Sequence, residues 1–419
     1  MKKDTKNNKS PILFISYFQG VKGCCPAEWA DDKIDAMNKL DREVILISSI
    51  ISKKYDSQGV KHYRVPSLSW TDLKTEYYQL KADKQKIPYV KLLVALPFVF
   101  TVGIFLDILQ KMLTSGLGGS KLSWVLSSLF VSTPLKLFYR CKTTFTTGGP
   151  VSAHITGLLV KILLRGRLIC ELQDPLCGEE IGRTPNSARM LGLLEKYIVK
   201  ISDKVVFVTK QAAAESQNRY PSHMEKIVAI YPGSKKFKLE PRHRDNGDKI
   251  ELIHLGTLYS SRNLYSLIQA IDELIEEAKI DKNLIKITNL GDIYGEMKEH
   301  HLSRNYIEQL PILPREEAVA FAATKDISLL VQHNDERSQA TIPYKTYDYI
   351  NIKNPILGLT NSLELSSLLR DNGHVSADIE NVKEIKAIII SLANGYEYSF
   401  KESKNVSIDI ITQTDEMLR

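Results

Sequence analysis

The chain has 419 residues, of which 43% are hydrophobic and 25% are charged. This composition is ordinary for a folded protein, and it excludes intrinsic disorder, collagen-like repeats and a small disulfide-stapled fold. The length favours two domains of roughly 200 residues, each able to bury its own core. The formal net charge of +7 is too small to identify a partner, so the distribution of charge along the chain has to decide.

Short β-rich runs alternate with helical patterns along the first half, which predicts a parallel α/β sheet. The predicted strands span residues 12–17, 43–48, 61–65, 143–147, 168–171 and 204–209. The clearest helices span residues 27–40 and 186–201.

A charged, turn-rich stretch at residues 231–249 predicts a linker, after which the alternation begins again. The predicted strands of the second half span residues 250–255, 284–289, 307–310, 327–331 and 355–359, with helices at 264–278 and 315–323. We therefore expect one domain at residues 1–238 and another at 239–395. Two doubly wound sheets facing each other would place the carboxyl ends of their strands, and hence ligands, along a shared cleft.

The positive charge is concentrated between Lys84 and Cys170, where eleven Lys or Arg residues occur with one acid, Asp107. The balance there is 11 − 1 = +10, so the remaining chain carries 7 − 10 = −3. The most apolar run of the sequence, residues 89–109, lies in the same stretch. Apolar faces flanked by cations suit a surface lying in the headgroup layer of an anionic membrane. We expect residues 84–142 to face a membrane; a pair of buried helices and a true membrane span are the alternatives.

Several well-known signatures are missing from the sequence. It contains no P-loop pattern, no GxGxxG after the first strand and no Asp-x-Asp at a strand end. Adjacent His300 and His301 would face apart on a helix, so no metal site is expected. Nucleic acid is not an expected partner, because Leu, Val, Phe and Ser separate the basic residues instead of stacking aromatic side chains.

One pattern typical of phosphate binding lies in the second half. Gly256 follows an apolar strand and precedes a helix, so the backbone can approach a phosphate and the helix N-terminus can offer N–H groups. Arg262 in the same turn can add a charge-assisted contact. Gly291, just past the next strand, would lie at the same edge of the sheet.

A second pattern is the sequence IPYKTYDYI from Ile342 to Ile350. Pro343 before a helical turn leaves N–H groups outward, and Lys345 brings a cation close by. Asp348, one turn further, could accept hydrogen bonds from two neighbouring hydroxyl groups of a ribose.

The first half carries a third pattern, TTGGPVSAH, in which a strand end, a tight turn and a helix start precede His154. At a helix N-terminus facing the cleft, the pKa of His154 would fall and the neutral ring could act in proton transfer or hydrogen bonding. Asp174 ends the next strand and would point into the same cleft. Gly20 and Gly23, after the first strand, would let backbone line its floor.

The order of these motifs resembles that of the retaining GT-B glycosyltransferases of glycosyltransferase family 4, especially bacterial enzymes that build capsule, O-antigen or exopolysaccharide. The resemblance runs from Ile12 to about Gly395. In the first domain it rests on the turn at 147–154, on LQDPL at 172–176 and on KIVAIYPG at 226–233. It also implies that residues 396–419 form a C-terminal helix returning to the first domain.

The resemblance implies a role for each candidate residue. Contacts to a donor diphosphate would come from Gly256, Thr257, Arg262 and Lys345. Contacts to the nucleoside and ribose would come from Gly291, Tyr344 and Asp348. His154 would orient the donor sugar or the acceptor hydroxyl, Asp174 would position the acceptor, and Gly20 and Gly23 would form the acceptor-side loop.

The implied activity is transfer of a sugar from a UDP- or GDP-linked donor to a lipid-linked saccharide, with retention and without a metal ion. The protein would act in the cytoplasm, peripherally on the inner face of the membrane. Ala340 stands where the family has a Glu, and Asp348 is one methylene shorter than the family's ribose-binding Glu. These departures leave a non-catalytic binding subunit as an alternative. A nucleotide-sugar epimerase or hydrolase of the same architecture is a further alternative.

Overall fold

The computed structural model describes residues 10–21, 24–114, 121–178, 183–237, 239, 249–352, 354–395 and 408–419. The chain divides into two compact units. Unit 1 comprises Met1–Pro232 together with Ile410–Arg419, and unit 2 comprises Gly233–Asp409. The division thus falls between residues 232 and 233, slightly before the expected boundary at 238.

Unit 1 contains a seven-stranded, all-parallel sheet with the strand order β3-β2-β1-β4-β5-β6-β7. Its strands are β1 (Ile12–Ile15), β2 (Val44–Ser49), β3 (Val60–Val65), β4 (Thr143–Thr147), β5 (Arg167–Leu172), β6 (Lys204–Phe207) and β7 (Ile227–Ala229). The six strands expected in this half are confirmed, whereas β7 was not expected. The strand order reverses between β1 and β4, which is where doubly wound sheets bind ligands.

Helices connect these strands, and most of them bury an apolar stripe. They are α1 (Cys25–Lys39), α2 (Trp70–Ala82), α3 (Tyr89–Phe98), α4 (Ile104–Thr114), α5 (Trp124–Phe138), α6 (Ser152–Leu164), α7 (Pro185–Ile201) and α8 (Lys210–Arg219). In α1, the helical spacing of Ala27, Ala30, Ile34 and Met37 creates one apolar stripe, and the structure buries all four side chains.

One π-helical turn, Val99–Gly103, joins α3 to α4, so Tyr89–Lys111 is a single helix, called here the apolar helix. Ala95, Val99 and Gly103, each four residues apart, form a buried stripe against unit 1. Large apolar side chains on the rest of the helix are exposed: Tyr89, Val90, Leu93, Val94, Phe98, Phe100, Val102, Ile104, Phe105 and Ile108. The helix is long and apolar enough to cross a membrane, and only 17% of its most apolar window is buried. The alternative of a buried helix at this position is therefore wrong.

Unit 2 contains a six-stranded, all-parallel sheet with the order β10-β9-β8-β11-β12-β13. Its strands are β8 (Ile250–Leu255), β9 (Ile285–Leu290), β10 (Ile307–Leu310), β11 (Ile327–Val331), β12 (Ile356–Leu359) and β13 (Val375–Ala377). Its helices are α9 (Tyr265–Glu276), α10 (Met297–Leu302), α11 (Arg315–Ala323), α12 (Glu336–Gln339), α13 (Lys345–Ile352), α14 (Leu363–Asp371) and α15 (Val382–Ala393). The strand order reverses between β8 and β11, so this sheet too is doubly wound.

The chain ends in α16 (Ile410–Leu418), which packs on α1 in unit 1. Met417 is fully buried there among core residues that include Ile34. The guanidinium of Arg167 donates to the carbonyl of Leu418, and the ammonium of Lys204 donates to that of Glu416. These contacts tie the last helix to the first residues of β5 and β6.

A buried ion pair joins α1 to β5. The ammonium of Lys33 lies 3.1 Å from Oε1 of Glu171, and neither side chain is exposed. The indole of Trp29 donates to the same oxygen, and the hydroxyl of Thr147 donates to Oε2. Because a buried carboxylate without its cation is costly, the structure depends on both partners being present.

Substitution of Lys33→Met should lower the free energy of unfolding of unit 1 by about 3–5 kcal/mol, since the buried carboxyl group of Glu171 would lose its partner cation. Lys33→Met combined with Glu171→Leu should recover part of this loss. Urea unfolding followed by tryptophan fluorescence measures unit 1 selectively, because all 3 tryptophans (Trp29, Trp70 and Trp124) belong to it.

Lys39→Met, at an exposed position of the same helix, serves as the matched control and should change stability by less than about 0.5 kcal/mol. Equal effects of the two lysine substitutions would contradict a stabilising role for the buried pair.

Candidate functional site

Two glycines meet at the carboxyl edge of the unit 2 sheet. Gly256 follows β8 and Gly291 follows β9, and the N–H of Gly256 donates to the carbonyl of Leu290 at 2.9 Å. A β-carbon at Gly291 would lie only 2.4 Å from the carbonyl oxygen of Gly256, so no larger residue fits without a backbone shift. Gly256 has a φ of +108° and open space beside it. The edge thus exposes backbone that a ligand can approach closely.

The loop after Gly256 folds as a tight turn before α9 begins. The backbones of Tyr259 and Arg262 exchange two hydrogen bonds of 3.0 Å, and the guanidinium of Arg262 lies over the ring of Tyr259. Arg262 and the preceding Thr257 are half-buried. The ring of Tyr259 also packs edge-on against His333, which follows β11. Arg262 is therefore held next to the strand ends that flank the switch point.

The start of α9 has intramolecular hydrogen-bond partners. The N–H of Leu264 donates to Nε2 of the buried His301, and that of Tyr265 donates to the side chain of Asn263. The expectation that these first N–H groups stay open for a phosphate is therefore wrong for both of them. His301 acts as a helix cap in this structure, and its burial lowers its pKa to about 4.

Lys345 begins α13 and is bonded to the end of β8. Its ammonium donates to Nε2 of His254 at 2.6 Å and to the carbonyl of Leu255 at 2.8 Å. One turn later the hydroxyl of Tyr349 accepts the N–H of Leu255 at 2.8 Å. Two side chains of α13 thus complete the hydrogen bonding of the last residue of β8, beside Gly256.

His254 and Asn289 occupy paired positions on β8 and β9, and both are fully buried. Their side chains meet at 2.6 Å, between Nδ1 of the histidine and Oδ1 of the asparagine. The Asn289 amide donates in turn to the carbonyl of Gly291 at 2.8 Å. Burial, reinforced by the charge of Lys345, holds the pKa of His254 well below its usual range. Neither residue was predicted; their only sequence signal is a polar residue just before the end of an apolar strand.

Asp348, expected at the ribose, is engaged inside unit 2. Both of its oxygens accept hydrogen bonds from Arg315 of α11, at 2.9 and 2.6 Å, and the hydroxyl of Ser234 adds a third. The guanidinium of Arg315 also lies 4.8 Å from the centre of the Tyr344 ring. Tyr344 and Asp348 therefore share Arg315 as a partner. A ribose hydroxyl would have to share Asp348 with these groups.

His154 lies in the third residue of α6 and is 1% exposed. Its Nδ1 is 2.8 Å from the hydroxyl of Thr146 at the end of β4. Burial lowers the pKa of His154 to about 4, opposed by a hydrogen bond with the backbone of Gly148. The fall in pKa is as expected, but its main physical cause is burial and not the helix N-terminus. The imidazole is neutral at pH 7.

Asp174, two residues past β5, is an exposed residue. The neighbouring Gln173 is buried, and its amide donates to Thr147, which donates to Glu171. The carboxylate that organises this edge of the sheet is therefore Glu171, a residue the sequence did not single out.

Gly20 lies at a small cavity of about 300 Å³ at the ends of β1 and β2. Its N–H and the amide of Gln19 each donate to the carboxylate of Asp31. Burial raises the pKa of Asp31 to about 6, although these two hydrogen bonds oppose the shift. Lys53 and Tyr55 also line this cavity. Gly23 lies outside the described residues.

The basic stretch is less uniformly charged in the fold than in the sequence. Lys121 pairs with Asp72 at 3.0 Å, and Lys161 pairs with Asp203 at 2.6 Å. Lys136 is 5% exposed. The exposed cations of the stretch are Lys84, Lys86, Lys91, Lys111, Arg140, Lys142 and Arg165.

The candidate residues therefore form separate groups within each unit. In unit 2, Gly256, Gly291 and Lys345 meet at the end of β8, whereas Asp348 and Tyr344 meet at Arg315. In unit 1, His154 lies against β4 and Gly20 lies at the Asp31 cavity. Among the described residues, no group of three or more His, Cys, Asp or Glu side chains could hold a metal ion.

Comparison with known proteins relates this chain to others through its fold alone. No protein-family model matches the sequence, and no curated protein matches it either. Solved structures do match, over almost the whole chain. HepE of Anabaena, in complex with UDP-glucose, shares 11% identity and covers 98% of each chain at a TM-score of 0.60.

Two further matches have related folds and different activities. Sucrose-phosphate synthase of Thermosynechococcus elongatus shares 10% identity and covers 98% of this chain and 95% of its own, at a TM-score of 0.62. A putative UDP-N-acetylglucosamine 2-epimerase of Listeria monocytogenes shares 10% identity over the same shares of the two chains, at a TM-score of 0.53. The two parallel α/β sheets and these neighbours together establish that the chain has the GT-B fold.

Proposed function

We propose that this protein is a retaining glycosyltransferase that moves a sugar from a UDP- or GDP-linked donor to a lipid-linked saccharide, in the synthesis of a bacterial capsule, O-antigen or exopolysaccharide. The observation that carries the proposal is the carboxyl edge of the unit 2 sheet, where Gly256 and Gly291 meet beside Lys345 in a GT-B fold. Backbone open to close approach and a nearby cation suit a diphosphate. A structural neighbour binds UDP-glucose at 11% identity.

In the proposed mechanism, Arg262 and Lys345 stabilise the diphosphate as negative charge develops on leaving. Because these side chains supply the positive charge, transfer requires no metal ion, and chelation with EDTA should leave the rate unchanged. The neutral His154 orients the sugar or the acceptor hydroxyl by hydrogen bonding, and Asp174 helps to position the acceptor. Gly20 belongs to the acceptor-side loop, where the cavity lined by Asp31 offers polar contacts.

The proposed place of action is the inner face of the cytoplasmic membrane, with the apolar helix in the headgroup layer. Its buried stripe packs on unit 1, and most of the exposed side chains on the rest of its surface are apolar, as expected of a helix lying in an interface. The acid within the stretch, Asp107, accepts the N–H of Thr71 at the start of α2 and so points toward the protein. The side chain of Trp70 packs against Phe100 and is half-exposed, as suits an interfacial aromatic residue.

A nucleotide-sugar epimerase or hydrolase is the second candidate, since one structural neighbour is a putative epimerase. One assay separates the candidates. Purified protein is incubated with UDP- and GDP-sugars, with and without a polyprenyl-diphosphate saccharide extract, and nucleotide release and lipid-linked product are followed. Release that requires the acceptor supports the transferase. Release without the acceptor, or conversion of the nucleotide sugar into its epimer, supports the second candidate. Nucleotide binding without any turnover would overturn both in favour of a binding subunit.

Arg262→Ala should weaken use of the donor by roughly 10- to 100-fold, because one charge-assisted contact to the diphosphate is lost. The measurement is kcat/KM for the nucleotide sugar. Arg189→Ala removes an exposed arginine from unit 1 and serves as the control. Equal donor dependence in the two variants would remove Arg262 from the diphosphate site.

Reversal of charge at Lys111, Arg140 and Lys142 to Glu should release the protein from vesicles that contain anionic lipid, because these three cations are exposed within the basic stretch. The measurement is co-sedimentation with phosphatidylcholine vesicles with and without phosphatidylglycerol.

The matched control reverses Lys39, Lys298 and Lys383, which are exposed and lie outside the stretch. Both triple variants change the formal net charge by the same amount. If both lose binding equally, total charge and not the basic stretch is responsible. If neither protein nor variants bind any vesicle, the proposed location is wrong.

A further inference from the structure

The series of hydrogen bonds from Lys345 through His254 and Asn289 to Gly291 has a single assignment of donors and acceptors. Because the Asn289 amide nitrogen donates to the carbonyl of Gly291, its Oδ1 is the atom that faces His254. That oxygen can only accept, so Nδ1 of His254 carries the proton and Nε2 carries the lone pair. The lone pair then accepts an N–H of Lys345. Each of the three links is therefore a satisfied donor–acceptor pair.

This series of hydrogen bonds joins three elements that are far apart in the sequence. Lys345 begins α13, His254 lies in β8 and Asn289 lies in β9. Lys345 is further held by the carbonyl of Leu255, so the position of its ammonium is set by two acceptors at the end of β8. Buried donor–acceptor chains of this kind keep a single arrangement, since any broken link leaves a polar group unsatisfied in a low-dielectric interior.

The last hydrogen bond of the series, from Asn289, orients the backbone at Gly291. A trans peptide holds its C=O and the next N–H in opposite directions. By binding the carbonyl of Gly291, Asn289 therefore also sets the direction of the N–H of Asp292. No side chain is available at Gly291 to do this, because a β-carbon there would meet Gly256.

We propose that His254 and Asn289 are positioning residues for the donor diphosphate, which hold the Lys345 ammonium and the Gly291 peptide in one geometry at the ends of β8 and β9. The inference rests on the proposed function, since it takes a nucleoside diphosphate as the ligand. Neither residue touches the ligand; both act through Lys345 and through the backbone. A neutral histidine suits the role because an imidazolium would repel the lysine and would have no lone pair for it.

Three substitutions of His254 separate the two links of the histidine. His254→Gln places an amide oxygen near the position of Nε2 and keeps an acceptor for Lys345. His254→Asn places an amide nitrogen near Nδ1 and keeps only the link to Asn289. His254→Phe retains a ring and removes both. The probe is UDP, with GDP in parallel, and the measurement is the dissociation constant by titration calorimetry.

We expect His254→Phe and His254→Asn to weaken binding of the nucleotide about tenfold, and His254→Gln to stay within about threefold of the unchanged protein. In a Lys345→Met background, His254→Phe should change binding by less than about twofold, because the lysine that the ring positions is gone and the Asn289 amide can still donate to the carbonyl of Gly291. Circular dichroism checks the fold of each variant. If His254→Phe does not fold, the comparison of Gln with Asn carries the test.

A merely structural histidine gives a different result. Weakening of the same size by all three substitutions, or an effect of His254→Phe that persists fully without Lys345, would overturn the positioning role. Unchanged binding in every His254 variant would do the same. If the unchanged protein binds neither UDP nor GDP, the proposed function itself fails. That outcome differs from the case in which the protein binds a nucleotide and the His254 substitutions leave the affinity unchanged.

Discussion

The close approach of two peptide units, at Gly256 and Gly291, is the constraint on which the candidate site of unit 2 depends. Two adjacent parallel strands end there, and the carbonyl of one lies where a β-carbon of the other would stand. The absence of side chains leaves the backbone accessible at the switch point of the sheet. Because the two glycines have no side chains, charge and hydrogen-bonding groups at this edge come from other residues. Lys345, His254 and Asn289 supply them.

Two buried carboxylates of the described residues, one in each unit, are satisfied by partners from other elements. Glu171 is bonded by Lys33, Trp29 and Thr147, and Asp348 is bonded by Arg315 and Ser234. Removal of one partner from such a group costs far more than the pair contributes, because a charge would remain in the interior alone. These carboxylates therefore hold the strand ends and α13 in place, which gives Asp348 a structural role independent of any ribose.

The apolar helix differs from these buried sites, because most of its apolar side chains are exposed to water. Its buried stripe packs against unit 1, whereas transfer of its many exposed aliphatic and aromatic side chains out of water would be favourable. Contiguous exposed apolar surface of this kind marks a binding face in a folded protein. Tertiary pairing removes some of the charge around it, because Asp72 and Asp203 neutralise two lysines. The exposed cations are fewer than the sequence count suggests. The proposed membrane association therefore rests more on the exposed apolar area of the helix than on charge.

The sequence by itself determined the two parallel sheets, most of their strands and the strand-end glycines, because apolar runs, turn residues and glycines act over a few neighbouring positions. Such local patterns were enough to predict four of the candidate residues: Gly256, Gly291, Lys345 and His154. The tertiary structure alone decided what each side chain contacts. Lys345 meets His254 across 91 positions, and Asp348 meets Arg315 across 33. Such contacts depend on how elements pack in space, and neither periodicity nor local spacing carries that information. For the same reason the sequence could not reveal His254, Asn289 or Glu171, whose chemistry comes from partners on other strands and helices.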